Sequence, residues 1–331
     1  MGSKNVEIEV VGVASAMHFL VDALCVCCFY MLLEPLPLVP VVSVIVTYNV
    51  LAFLTQPLTG LLADSVRRPH LLLLVSILLL AFAVLLSVIV VMTRAGEMPF
   101  FYAVASLLGL GNSFFHVWGG KQVALKTCND IRSLGVFVST GAMGLAVGYV
   151  FYSWLLLCLL LLSLNVLALV YVWEEDRRYR YDRRNRYDSG NRYGDEKVFS
   201  LPLVLLFVVL LMVAVMLRSL VSECFTSDGV VSGSEMTLLV GCVAMLGKMA
   251  GGWLARGLGW VKSLALILLG VLVCWFMRGQ GIALVLVGLF VVNCSMPITL
   301  WLANVVLKGR EGLAFGLLAA ALIPGYLISQ I

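Results

Sequence analysis

Eleven apolar stretches succeed one another along this chain, each long enough to reach across a lipid bilayer. They cover residues 10–32, 38–63, 70–93, 99–124, 133–152, 154–173, 199–223, 233–255, 260–278, 282–306 and 312–331. A bilayer's hydrocarbon core is about 30 Å thick and a helix rises about 1.5 Å per residue, so about 20 apolar residues make one crossing. The run over 133–173 is twice that length and reads as two crossings, with a turn at Tyr152-Ser153-Trp154. Only 12% of residues are charged against 62% hydrophobic, too little polar surface to cover a soluble domain of this size. The predicted class is an all-α polytopic membrane protein.

The basic residues orient it, because Lys and Arg are retained on the cytoplasmic side. With the N-terminus inside, nineteen of the 22 fall on that side: Lys4, Arg67, Arg68, Lys121, Lys126, Arg132, Lys248, Arg256, Lys262, Lys308, Arg310 and eight between 174 and 198. Arg94 and Arg278 fall outside, and Arg218 lies within a span. This predicts a multi-pass protein of the inner or plasma membrane. The first stretch is too long and too polar at its centre for a cleaved signal, so it is expected to stay in the mature protein. Nine cysteines (Cys25, Cys27, Cys28, Cys128, Cys158, Cys224, Cys242, Cys274, Cys294) lie mostly in apolar runs without metal-ligand spacing and read as small buried hydrophobes.

One long hydrophilic insert, "WEEDRRYRYDRRNRYDSGNRYGDEK", interleaves eight basic with seven acidic residues. Its near-balance weakens any attraction to RNA or anionic lipid, so 174–198 reads as a solvated cytoplasmic linker, with no nucleic-acid partner expected. It divides the chain into 1–173, with six spans, and 199–331, with five. The halves echo each other: "GLLADS" at 60–65 and "GWLARG" at 252–257 each end a second span. Gly135 to Gly148-Tyr149 has the spacing of Gly312 to Gly325-Tyr326. Duplicated halves with a substrate site between them are a common transporter plan.

The "GLLADSVRRPH" stretch places three charges between two apolar runs. Gly60 permits close helix approach. Asp64 ends its own helix, where the dipole disfavours a carboxylate, so it should seek another helix's N-terminus or an arginine. This stretch resembles the signature loop of the major facilitator superfamily, matching it at Gly60, Leu62, Asp64 and the Arg67-Arg68 pair. The family has a basic residue directly after the aspartate, where this chain has Ser65. The resemblance implies a two-bundle fold with a cytoplasmic latch, in which Asp64 meets the start of the eleventh span near Arg310 and Gly312. It also implies a twelfth helix, which this sequence lacks.

Two further patterns narrow the resemblance. "HFLVD" puts His18 and Asp22 four apart, on one face of the first helix, and "GNSFFHVWGG" puts His116 in the fourth. Both resemble fosmidomycin-resistance-type efflux members of that superfamily, although Val117 stands where that branch has proline. The family's fourth-helix arginine is replaced here by Asn112 or a neighbour. An ionised carboxylate is costly at mid-membrane and is functional by default there. Beside imidazoles it can exchange protons near neutral pH. His18, Asp22 and His116, with Asn112 and Asn49, are therefore the expected proton and substrate residues. Arg218 snorkels to water, draws an anionic or zwitterionic solute, or pairs with Asp22. Gly135, Gly141, Gly144 and Gly148 stripe the fifth span for close packing, and Pro297 and Pro324 mark bends.

The expected function is a proton-coupled secondary transporter of a small solute, an exporter acting as a monomer by rocking of two halves. No nucleotide fingerprint, phosphate loop or metal cluster appears in the sequence, and neither an enzyme, a cofactor nor a bound metal is expected. No twelfth span follows, so either the sequence is truncated or that helix is dispensable, and the rival expectation is a non-transporting scaffold or sensor of the same fold.

Overall fold

The computed structural model describes residues 2–34, 38–93, 97–185, 200–226 and 233–329. These residues form α1 (Gly2–Leu33), α2 (Leu38–Asn49), a π-helical turn (Val50–Leu54), α3 (Gln56–Ser65), α4 (His70–Thr93), α5 (Met98–Lys126), α6 (Ile131–Val150) and α7 (Trp154–Asn185). The second half comprises α8 (Leu201–Thr226), α9 (Ser234–Leu258), α10 (Trp260–Met277), α11 (Ile282–Asn293), α12 (Ser295–Val306), α13 (Glu311–Ala320) and α14 (Leu322–Ser329). Among the described residues eleven helical stretches are long and apolar enough to cross a membrane. The chain is an all-α multi-pass membrane protein of two helix bundles.

Three crossings are broken. The second consists of α2, the π turn and α3, the tenth of α11 and α12, and the eleventh of α13 and α14. Each break lies just ahead of a proline, Pro57, Pro297 or Pro324, which has no N–H to give and crowds the preceding turn. The expected bends at Pro297 and Pro324 are thus accompanied by one in the second crossing. Outward faces are apolar, as a lipid solvent requires: Phe276 is 84% exposed and Leu155 72%. Polar side chains such as Asp22, Gln56, Asn112 and Asn293 are turned inward and buried.

Glycine decides where the bundles touch. α3 lies against α13 so closely that a Cβ on Gly60 would strike the Gly312 carbonyl, and one on Gly316 the Gln56 carbonyl. The second seam joins α6 to α9, where Gly252 meets the backbone of Ile131 and Arg132, and Gly241 meets Ala146. Without interhelical hydrophobic drive in lipid, such backbone approach supplies the van der Waals contact that holds membrane helices together.

Some sequence expectations are corrected. Lys248, counted with the cytoplasmic charges, lies in the middle of α9 and lines the central cavity. Residues 174–185 of the expected linker continue α7 as helix, with Glu175 paired to Lys126 at 3.3 Å; the rest of it, 186–198, lies outside the described residues. Cys128 and Cys158 are exposed rather than buried, while Cys25, Cys27, Cys28, Cys274 and Cys294 are buried.

Candidate functional site

α1 carries His18 and Asp22 one turn apart, and α5 brings Asn112 and His116 opposite them, again one turn apart. The four meet inside the first bundle, with Asp22 6% and Asn112 2% exposed. The His18 Nδ1–H donates to the Phe137 carbonyl at 2.7 Å. His116 Nδ1–H likewise donates to the Asn112 carbonyl at 3.0 Å. A carbonyl can only accept, so both rings carry hydrogen on Nδ1 and turn Nε2 to Asp22. Those contacts are His18 Nε2 to Oδ2 at 3.3 Å and His116 Nε2 to Oδ1 at 3.5 Å. Asn112 Nδ2 donates to Oδ1 at 3.2 Å and holds the carboxylate in place.

This arrangement has a chemical consequence. With both rings neutral, two nitrogen lone pairs and a carboxylate face one another, which is repulsive; a proton on either Nε2 turns repulsion into a charge-assisted hydrogen bond. The cluster is built to take up positive charge. Its ligand atoms also lie within 4.8 Å of one another, and two imidazoles with one carboxylate are a donor set that first-row divalent metals accept. The wide separation of Asp22 and His116 along the chain conceals this grouping from any search for local ligand spacing.

Gly141 on α6 makes room for the cluster, since a Cβ there would collide with Asp22 Oδ2 and His18 Nε2. Gly144 and Gly148 continue the approach along the Phe19 and Ala23 carbonyls. Gly141→Ala is therefore expected to rotate the carboxylate away from His18. It should cut any Asp22-dependent proton movement by at least about tenfold while the protein still inserts and purifies as wild type. Equal activity in the variant would show that the carboxylate geometry does not matter.

The cluster forms one wall of a cavity of about 350 Å³ between the bundles, lined also by Asn49, Gln56, Lys248, Met296 and Phe315. Asn49 sits across that space and donates to its own helix at Ile45 O, 3.0 Å. Phe315 of α13 packs near His116 and Phe137, with ring centroids 6.4 and 6.1 Å away. Towards the opposite end a second space of about 630 Å³ shares Asn49, Phe53, Ala142, Leu145, Lys248 and Met296 with the first and adds Arg218, Glu223 and Asn293. Arg218 is 9% exposed and turned to this cavity rather than to the bilayer surface. An ion pair between Arg218 and Asp22, one of the roles open to it from sequence, is absent among the described residues.

At the other end Asp64 closes the seam. Its carboxylate accepts the Gly312 N–H at 3.0 Å and the Leu313 N–H at 2.9 Å, the first turn of α13. Lys121 Nζ lies 3.0 Å from Asp64 and also donates to the Ala63 carbonyl at 2.8 Å. An anion at a helix N-terminus with a neighbouring ammonium is a favourable pairing. Arg67, Arg68 and Arg310 are exposed; the cation on Asp64 is Lys121, which the sequence places only among the cytoplasmic charges. Two further bonds link the halves here, Asn129 Nδ2 to Trp301 O at 3.3 Å and Asn304 Nδ2 to Asn129 Oδ1 at 2.9 Å. Asn129 holds a left-handed backbone, φ 57°, that aims its amide across the seam. The cavity is thus shut at the Asp64 end.

Compared with known proteins, the fold is recognisable where the sequence is not. No family model matches the chain, and none of the curated proteins matches its sequence. Among solved structures, an E. coli fucose:proton symporter superposes with a TM-score of 0.65 at 12% identity, over 98% of this chain and 90% of the other. A bacterial homologue of the iron transporter ferroportin, in an outward-facing state, gives 0.61 at 14% identity over 97% and 90%. Such a homologue with soaked iron gives 0.62 at 14% over 97% and 92%. The chain accordingly shares the polytopic two-bundle helical fold of these solved proteins. That likeness does not single out the fosmidomycin-resistance branch.

Proposed function

We propose that this protein is a proton-coupled secondary transporter of a small solute, working by alternating access in the plasma membrane with the Asp64 end cytoplasmic. The observation that carries the reading is the buried His18–Asp22–His116 cluster in the wall of a cavity between two bundles shut at one end. Such a cavity presents a proton-binding group to one side of the membrane at a time, which is what coupling requires. Asp64, Gly60 and the α13 N-terminus serve as the latch, with Arg67, Arg68 and Arg310 as surrounding cytoplasmic charge. The symporter among the similar structures is named for proton coupling. Export, rather than uptake, rests on the motifs around His18 and Phe115-His116 that resemble drug-efflux members.

A second reading takes a divalent metal as cargo. It is favoured by the three-ligand cluster and by the similarity to a ferroportin homologue whose crystals were soaked with iron. The cationic wall formed by Lys248 and Arg218 opposes it. The test is purified protein in vesicles loaded with a pH-sensitive dye, challenged with a panel of small solutes and with Mn²⁺. Solute-dependent proton movement above protein-free vesicles supports the first reading, and movement with Mn²⁺ alone the second. No movement with any solute would leave the non-transporting scaffold.

A further inference from the structure

The transport reading leaves the solute's chemistry open, and the outer part of the cavity bears on it. Arg218 on α8 is nine-tenths buried, and its Nε has no hydrogen-bond partner. No ion pair or hydrogen bond reaches its guanidinium among the described residues. Lys248 on α9 lines both parts of the cavity and forms no ion pair within 4.0 Å among the described residues, the acid that acts on it from a distance being Asp22 in the opposite wall. Two cations from the second bundle therefore face a shared space. A buried, unpaired cation is costly, and that cost is relieved by an anion entering the site.

The remaining charges in that space do not supply the anion. Asp22 is engaged by His18, His116 and Asn112 in the opposite wall. Glu223 lines the outer space, five residues after Arg218 on the same helix, yet lies beyond the 4.0 Å of an ion pair with it. Five residues turn a helix about 140° past one full turn, so the two side chains leave the axis in different directions. The inner part is largely apolar, with Phe53, Val138, Leu145, Met296, Leu300 and Phe315 in its wall. A charged head on Arg218 and Lys248 would thus have an apolar pocket beside it.

We propose that this cavity binds a small organic anion, a carboxylate, phosphonate or phosphate with an apolar body, whose head group sits on Arg218 and Lys248. Arginine offers a planar fork of donors that matches the oxygens of such groups in pairs, and lysine adds a compact charge. The cations belong to the second bundle and the proton cluster to the first. Anion and proton then bind opposite walls, the anion against Arg218 and Lys248 and the proton beside Asp22, so each added charge meets its opposite.

The inference rests on the transport reading but is tested apart from it, by binding. Full-length protein in lipid nanodiscs is titrated with benzoate and phenylphosphonate, with benzyl alcohol as neutral and benzylammonium as cationic analogue. The readout is saturable shift of the unfolding midpoint, checked by equilibrium dialysis. At least one anion is expected to bind saturably and more tightly than both analogues. R218Q and K248Q should each weaken it by at least about tenfold, while R218K and K248R retain part of the affinity. Asp22→Asn should keep anion binding while losing proton movement; proton movement unchanged in that variant, with anion binding intact, would sink the coupling and spare this site. The proposal fails if no probe binds saturably, if the neutral or cationic analogue binds as well as the anions, or if anion binding survives in the R218Q/K248Q double variant.

Discussion

Asp22→Asn is expected to lower solute-driven proton movement in reconstituted vesicles by at least about a hundredfold, with insertion and unfolding midpoint close to wild type. Asparagine keeps the shape of the side chain, and its amide oxygen can still accept from Asn112. What goes is the negative charge that two Nε2 atoms share at 3.3 and 3.5 Å. At an effective dielectric of about 20, a unit charge pair at about 4 Å attracts by about 4 kcal/mol. Without it neither ring has a reason to take up a proton at this depth. His18→Gln and His116→Gln each leave one carboxylate–imidazole pair and should be milder, roughly tenfold. Movement within about threefold of wild type in Asp22→Asn would remove Asp22 from the mechanism.

The second large effect concerns the latch. Asp64 gathers two backbone N–H groups and one ammonium, and hydrogen bonds to a charged group contribute about 1.5–3 kcal/mol each. Asp64→Asn replaces one acceptor oxygen with an NH₂ group that points at a backbone donor. A loss of about 2–4 kcal/mol follows, which shifts a two-state equilibrium away from the closed seam by about thirtyfold to a thousandfold. The readout is a cysteine at Ala314, wholly buried beside the seam, in a background without the exposed Cys128 and Cys158. Its reaction with a membrane-impermeant maleimide should accelerate at least about tenfold in Asp64→Asn. Lys121→Gln, which leaves both N–H bonds, should accelerate it less. An unchanged rate would show that the carboxylate does not hold this end shut.

How much of this is legible in the sequence follows from locality. Hydropathy along the chain marks the eleven crossings because each must present an apolar surface by itself. His18 and Asp22 pair on paper because an i, i+4 spacing fixes their common face. Asp64 points to a helix N-terminus because its position at the end of α3 leaves it electrostatically unsatisfied. The misses are non-local or carry no compositional mark. Lys248 reads as cytoplasmic-side charge although it falls inside the 233–255 stretch; only the folded structure shows it facing a cavity. Lys121 reads only as one of the cytoplasmic-side charges, although the α5 face that carries it points at α3. The π turn over Val50–Leu54 is made of ordinary apolar residues, and nothing in them signals the extra residue per turn. Its neighbour Pro57 is the available clue.

The broken second and eleventh crossings give the seam a property that straight helices would not have. Their inner rods, α3 and α13, are pressed backbone to backbone through Gly60, Gly312 and Gly316, while each joins its outer rod, α2 or α14, through a flexed joint at 50–55 or 321. On the proposed transport reading, the outer rods are the parts expected to swing over the mouth while the inner weld holds. A cargo is then predicted, on that reading, to be enclosed on both sides before the Asp64 lock is released.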